Sequence, residues 1–217
     1  SLWQIWIASP LPFMFHFGVF SGKEARPVHL AFSFLLAFLA YPAFKDSPRN
    51  RIPLVDWLLA IAGICVTMYL FVFDSVFIDN ILGTRLSDRP GNPNTLDIIV
   101  ACAGIVVLME ATRRALGPPL MVVAIVFLGY TFLGPYAPGI LAWKGASFGA
   151  VADHQWLSSE GVFGIALGVS TGLVFLFVLF GALLDKAGAG NYFIKVAFSL
   201  MGHMRGGPAK AAVVASG

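Results

Sequence analysis

Charge is what this sequence has least of. Only 12% of its 217 residues are Asp, Glu, Lys or Arg, 58% are hydrophobic, and the mean hydropathy is +0.83. A soluble domain carries roughly 25% charged residues. A chain this poor in charge cannot cover itself with polar surface, so its solvent is lipid. The formal net charge is +3 and the basic residues are scattered between apolar runs, which excludes a nucleic-acid-binding patch. Cysteine is nearly absent: Cys65 and Cys102 sit inside apolar runs, without metal-ligand spacing, and read as inert thiols rather than a disulfide framework. Strands of alternating polarity are missing, which excludes a membrane barrel, and an open sheet would leave unpaired backbone groups in lipid. The first 22 residues lack a basic leader and a small-residue cleavage site, so they read as a membrane helix rather than a signal peptide. No nucleophile–base pair, phosphate-cradling loop or carboxylate dyad can be assembled, so the chain does not read as an enzyme.

Long charge-free runs are what the sequence has. A bilayer core of roughly 30 Å needs about 20 apolar helical residues. Ser1 to Gly22, Pro27 to Phe44, Trp57 to Phe73, Ala115 to Trp143 and Gly161 to Leu184 qualify as the first, second, third, fifth and sixth spans. The fourth has only 12 uncharged residues between Asp97 and Glu110. Its ends rescue it. Pro93-Asn94-Thr95 offers a cap, Asp97 falls in the first turn, and Arg113 and Arg114 in the last. Gly117-Pro118-Pro119 then stops the helix. A helix from Thr95 to Leu116 is about 33 Å long and spans if its charged ends reach the headgroups.

The expected architecture is therefore all-α and polytopic, with about six transmembrane helices plus interfacial amphipathic helices. Loops on one side carry Lys23, Arg26, Arg85, Arg89 and Lys144; loops on the other carry Lys45, Arg49, Arg51, Arg113, Arg114 and Lys186. Lys195, Arg205 and Lys210 extend the second set, which places it and the start of the first helix in the cytoplasm. The half-polar stretch APGILAWKGASFGAVADHQWLSSEG is expected at the interface, and Trp3, Trp6, Trp57, Trp143 and Trp156 lie near run ends where interfacial tryptophan belongs. Tyr192, Phe193, Val196, Ala197 and Leu200 recur at helical spacing, which predicts a helix lying flat over residues 191–203.

Glu110 lies three and four residues before Arg113 and Arg114, so one helix face carries all three. They form either a substrate-attracting or subunit-docking site or a self-paired helix end. Asp153, His154 and Glu160 have irregular spacing and read as loop polarity rather than a metal site. His16 and His29 read as hydrogen-bonding residues between helices rather than proton relays. Gly164, Gly168 and Gly172 are four apart, a row of small residues that lets another backbone approach, and Ser170 and Thr171 can hydrogen-bond across helices.

Four stretches, VLMEATRRALGPPL, FLGPYAPGILA, EGVFGIALGVSTGLVFLFVLFGALLDKAGAG and RGGPAKAAVVASG, resemble the fused permease of a TRAP transporter of the TAXI type. The resemblance covers most of the chain in order. It implies that residues 1–115 correspond to the small four-helix membrane subunit, a scaffold, and 116–217 to the beginning of the large subunit. It also implies an importer of organic acids such as dicarboxylates, keto acids or glutamate, driven by an ion gradient, usually sodium, in the bacterial inner membrane. No cofactor is implied beyond the coupling ion. Partners would be membrane lipid, an extracytoplasmic TAXI-type substrate-binding protein and the remainder of the large permease domain, with no nucleic acid.

In that family the run matching RGGPAKAAVVAS leads into a re-entrant hairpin of an elevator-type transport domain, so the chain is expected to be the front part of a longer permease. Ser216, with Gly217 beside it, would neighbour a sodium site. The flat helix would be an arm linking scaffold to moving domain, with Gly188, Gly190, Gly206 and Gly207 as hinge positions. The alternative function is a non-transporting membrane scaffold that docks other helices.

Overall fold

The computed structural model describes residues 2–43, 52–73, 86, 91–201, 209 and 213. Among the described residues there is no strand, and the chain is an all-α, polytopic membrane protein. It forms two compact units, Ser1–Thr171 and Gly172–Gly217. Among the described residues, four helices are long and apolar enough to cross a bilayer: Leu54–Phe73, Thr95–Ala115, Pro118–Tyr136 and Ile165–Lys186.

The first charge-free run is not one span. It forms two short helices, α1 (Leu2–Ala8) and α2 (Leu11–Phe15). The cause is Pro10, which disfavours helical geometry at Ser9 and cannot donate a helix hydrogen bond. Trp6 stacks on Phe15 at 6.3 Å between ring centroids, so the second short helix folds back beside the first.

Helix α3 (Gly22–Ala40) begins before the expected Pro27. A capping box sets its start: Ser21 N–H donates to Glu24 Oε2 at 2.7 Å, and Glu24 N–H donates to Ser21 Oγ at 3.3 Å. Its first turns therefore carry Lys23, Glu24 and Arg26. Helix α4 (Leu54–Phe73) packs along α3, and α5 (Thr95–Ala115) packs on both. Helix α5 matches its expected bounds and signals, with Asn94 and Asp97 forming a capping box and both arginines in the last turn.

The core of the first unit is Phe34, Phe38, Ala60, Leu70, Ala101 and Val107, closed by Trp156. Gly104 makes room for that indole: a Cβ there would lie 2.2 Å from its ring carbons. Trp156 is fully buried and meets Phe163 edge-on at 5.2 Å. This corrects its expected place at the interface. The half-polar stretch folds inward here as α7 (Phe148–Ala152), a π-turn over Asp153–Leu157, and the return to Phe163.

Helix α6 (Pro118–Leu133) continues into a tight turn at Gly134–Tyr136 and has no fully buried residue, as suits a span with a lipid-facing surface. Helix α8 (Ile165–Lys186) carries a π-turn at Ser170–Val174. In the second unit α9 (Ala189–Met201) packs on the end of α8; Ala197 is buried, and Tyr192, Phe193 and Leu200 are exposed. This is the expected amphipathic helix, begun two residues earlier.

Candidate functional site

Among the described residues of the apolar first unit, two polar centres each join three helices. The first is built at the end of α5. Glu110 Oε1 accepts from Arg113 Nη2 at 2.7 Å and from Arg114 Nε at 2.7 Å, and Glu110 Oε2 accepts from Arg113 Nε at 2.8 Å. The helical spacing alone brings these three together, as the sequence predicts. Arg114 reaches further. Its Nη1 donates to Asp56 Oδ1 at 2.7 Å and to the Tyr41 carbonyl at 3.4 Å, and its guanidinium carbon lies 4.9 Å from the Phe38 ring centroid.

Asp56 is in the first turn of α4, and Tyr41 caps the end of α3. One arginine thus ties three helix ends. This places the end of α3, the start of α4 and the end of α5 at one end of the unit, the grouping expected from the basic residues. The side chains of Arg114 and Asp56 are each only 2% exposed, whereas Glu110 is 26% and Arg113 36% exposed. A self-paired helix end thus includes Glu110, Arg113 and Arg114, and Arg114 in addition reaches Asp56 on α4. Sequence reasoning missed Asp56 as the partner. The one available signal was a carboxylate at the start of a span, opposite in chain direction to the arginines.

The second centre joins α1, α3 and α8. Gln4 is buried, its Nε2 donates to the Thr171 carbonyl, and its Oε1 lies 3.2 Å from His29 Nδ1. A carbonyl oxygen only accepts, so the Thr171 bond fixes the amide orientation and Gln4 Oε1 must receive the imidazole Nδ1–H. His29 Nε2 is then free to accept from Ser170 Oγ, 3.4 Å away. A neutral imidazole satisfies every partner, which is the helix-joining role read for His29. Thr171 Oγ1 donates back to the Leu167 carbonyl at 2.7 Å, so the cross-helix hydroxyl is Ser170 and Thr171 contributes its carbonyl. The π-turn is what presents that carbonyl, a common device where a helix carries function.

Within the glycine row only Gly164 meets backbone, that of the preceding turn, where a Cβ would lie 2.6 Å from the Glu160 carbonyl oxygen. Gly168 receives the Arg26 guanidinium, which would lie within 3.0 Å of a Cβ, and nothing lies within 4 Å of a Cβ at Gly172. His16 sits apart from both centres and closes α2 with φ +50°. Asp153 accepts from the Gly91 N–H at 3.1 Å. Among the described residues no group of His, Cys, Asp or Glu is arranged to hold a metal ion. Gly188, at φ +76°, makes the turn between α8 and α9, and Gly190 lies inside α9. Lys45, Arg49, Arg51, Arg85, Arg89, Arg205, Gly206, Gly207, Lys210, Ser216 and Gly217 lie outside the described residues.

Residues 103–217 match the family model described as the tripartite ATP-independent periplasmic transporter, DctM component. That span is more than half of the 217-residue chain. The chain belongs to the DctM family. No curated protein and no solved structure matches it. As a DctM protein it is a membrane component of a TRAP transporter, and its partners are a substrate-binding protein and other permease parts. The match begins within α5, seven residues before Glu110, so Glu110, Arg113, Arg114 and the π-turn at Ser170–Val174 lie in the DctM region, whereas Asp56 and Tyr41 lie before it. DctM is a transporter family, and in both centres polar side chains pair across helices.

Proposed function

We propose that this chain is the front part of a fused TRAP permease of the TAXI type, which imports organic acids such as dicarboxylates, keto acids or glutamate. A sodium gradient drives the uptake, and an extracytoplasmic TAXI-type binding protein delivers the substrate. The match of residues 103–217 to the DctM family carries this reading. The small number of charges, confined mostly to helix ends, supports a scaffold that holds its shape in lipid while another part moves.

In this proposal residues 1–115 are the small-subunit-like scaffold and 116–217 open the large-subunit-like part. The protein sits in the bacterial inner membrane with its N-terminus in the cytoplasm, and Arg113 and Arg114 face that side. The half-exposed Arg113–Glu110 pair is the docking group for neighbouring permease helices, while Arg114 holds the scaffold together. Helix α9 is the arm, with Gly188 and Gly190 at one end of it and Gly206 and Gly207 at the other. Ser216 neighbours the sodium site at the entry to the first re-entrant hairpin of an elevator-type domain.

The test is uptake by proteoliposomes containing the full-length permease. Radiolabelled acid is expected to accumulate only with an inward sodium gradient and the loaded binding protein together. Uptake that needs neither refutes the proposal.

A further inference from the structure

Four charged side chains line one cavity without pairing with each other. The cavity, about 250 Å³, lies between the first turns of α3 and the last turn of α4. Its wall carries two cations, Lys23 and Arg26, and two carboxylates, Glu24 and Asp153. The wall is electrically balanced, yet none of the four belongs to an ion pair among the described residues. Each carboxylate accepts one backbone N–H: Glu24 from Ser21 at 2.7 Å and Asp153 from Gly91 at 3.1 Å. Arg26 is half-buried; its Nη1 donates to the Phe163 carbonyl at 2.8 Å, and its Nε has no partner. Residues one or two apart on a helix do not face each other, so Glu24 is poorly placed to neutralise Lys23 or Arg26 directly. A ligand lying between them can meet both signs at once.

The depth of the cavity says what that ligand is made of. Lys23, Glu24 and Arg26 precede the charge-free run 27–44, and Leu70 and Phe71 end the run 57–73. The place where apolar runs of spanning helices meet charge is the level of the lipid headgroups.

We propose that this cavity binds the headgroup of a zwitterionic phospholipid with a primary amine, phosphatidylethanolamine, its phosphate facing Arg26 and Lys23 and its ammonium facing Glu24 and Asp153. A headgroup with one charge of each sign matches a wall that carries both, whereas an anion alone would also meet two carboxylates. A primary ammonium has three N–H donors and a quaternary one has none, so the carboxylates select ethanolamine over choline. The cavity is smaller than the about 300–1,000 Å³ of a drug-sized site. It admits the headgroup, leaves the acyl chains outside, and offers Leu70 and Phe71 to the glycerol end. The proposal needs the chain to lie in lipid and does not depend on what it transports.

The test reads which lipid stays on the protein. The full-length protein is equilibrated in micelles with equimolar phosphatidylethanolamine, phosphatidylcholine and phosphatidylglycerol of different chain lengths, and the retained lipid is weighed by native mass spectrometry. One phosphatidylethanolamine per chain is expected, held about tenfold over either competitor, the worth of one hydrogen bond to a charged group. Glu24→Gln combined with Asp153→Asn retains an oxygen acceptor for each backbone N–H and is expected to bring the ethanolamine and choline lipids to near parity. Arg26→Gln is expected to weaken retention about tenfold. Lys23→Gln, at an exposed position, is expected to weaken it a few-fold and reads the cation side independently if Arg26→Gln does not fold.

Equal retention of the three lipids overturns the proposal. Phosphatidylglycerol held most tightly also overturns it, since that marks a purely anionic ligand. An ethanolamine preference that survives Glu24→Gln with Asp153→Asn does the same, because the preference then arises elsewhere. Displacement of the lipid by free phosphoethanolamine at equal concentration assigns the cavity to a soluble zwitterion and rules out lipid as its source.

Discussion

Replacing Arg114 by leucine strands a carboxylate. Arg114 and Asp56 are each 2% exposed, and Arg114 Nη1 is 2.7 Å from Asp56 Oδ1. Glu110 keeps Arg113 when Arg114 is removed, and it is partly open to solvent. Asp56 keeps nothing of comparable strength. Removing one partner of a buried pair costs about 3–5 kcal/mol, because the remaining charge is left unpaired. The stacking on Phe38 adds up to about 2 kcal/mol where the cation is desolvated. Arg114→Leu is therefore expected to destabilise by about 4–6 kcal/mol, a large share of a typical total of about 5–15. Asp56→Leu should cost less, about 1–3 kcal/mol, since Glu110 still neutralises Arg114. The double variant should recover part of the loss, because a well-packed apolar pair in place of a buried ion pair is often neutral or stabilising.

Equilibrium unfolding in mixed micelles, followed by helical circular dichroism, gives all three values and the coupling between them. The expected order is Arg114→Leu worst, the double variant between, and Asp56→Leu mildest or close to the double. An Arg114→Leu protein within 1 kcal/mol of the parent, or a double variant no better than Arg114→Leu, would show that the pair is solvated and that the three helix ends are held by something else.

Three further outcomes are expected. Gly104→Ala drives a Cβ into the six-membered ring of Trp156 and should cost about 1–3 kcal/mol in the same assay, with Trp156→Phe partly restoring stability because it removes the clashing carbons. Gln4→Leu leaves the Thr171 carbonyl and the His29 imidazole without their shared amide, which should cost about 1–3 kcal/mol, while the isosteric Gln4→Glu should not restore the lost donor. Gly188→Ala forces a side chain into left-handed backbone at φ +76° and should cost about 1–2 kcal/mol, read as faster proteolysis between α8 and α9 with the first unit intact.

Helix α5 was legible nearly to the residue because its signals are local. Asn94, Asp97, the two arginines and Gly117 all act within one turn of the helix ends. The first run was misleading for a related reason. Hydropathy counts Pro10 and Pro12 as tolerable in an apolar stretch, but their effect is on backbone hydrogen bonding, and the helix stops at Ala8. Trp156 was misplaced because an indole near the end of an apolar run suits either a headgroup or a pocket. The choice was made by Gly104, 52 residues away, which no local pattern connects to it. The same holds for Asp56. Its partner Arg114 lies 58 residues on, and the helical spacing already offered Arg114 a nearer carboxylate in Glu110. Local pairs can be read from periodicity; pairs between helices depend on which faces meet.

That distinction bears on why the polar groups are where they are. In lipid there is no hydrophobic force to bring one apolar helix against another, since tails and leucines are alike to each other. Packing at Gly104 and Gly168 and buried polar ties must supply the specificity. The two centres do so differently. Arg114 carries a full charge and binds three helix ends, so the register of α4 against α5 cannot slip without stranding Asp56. Gln4, His29 and Ser170 are neutral and hold α1 and α3 to a π-turn through hydrogen bonds that break singly. A charged tie resists every displacement, whereas a neutral one at a π-turn yields to a modest change in helix winding. The scaffold role proposed for the first helices needs the first kind of tie, and the proposed passage toward a moving part tolerates the second.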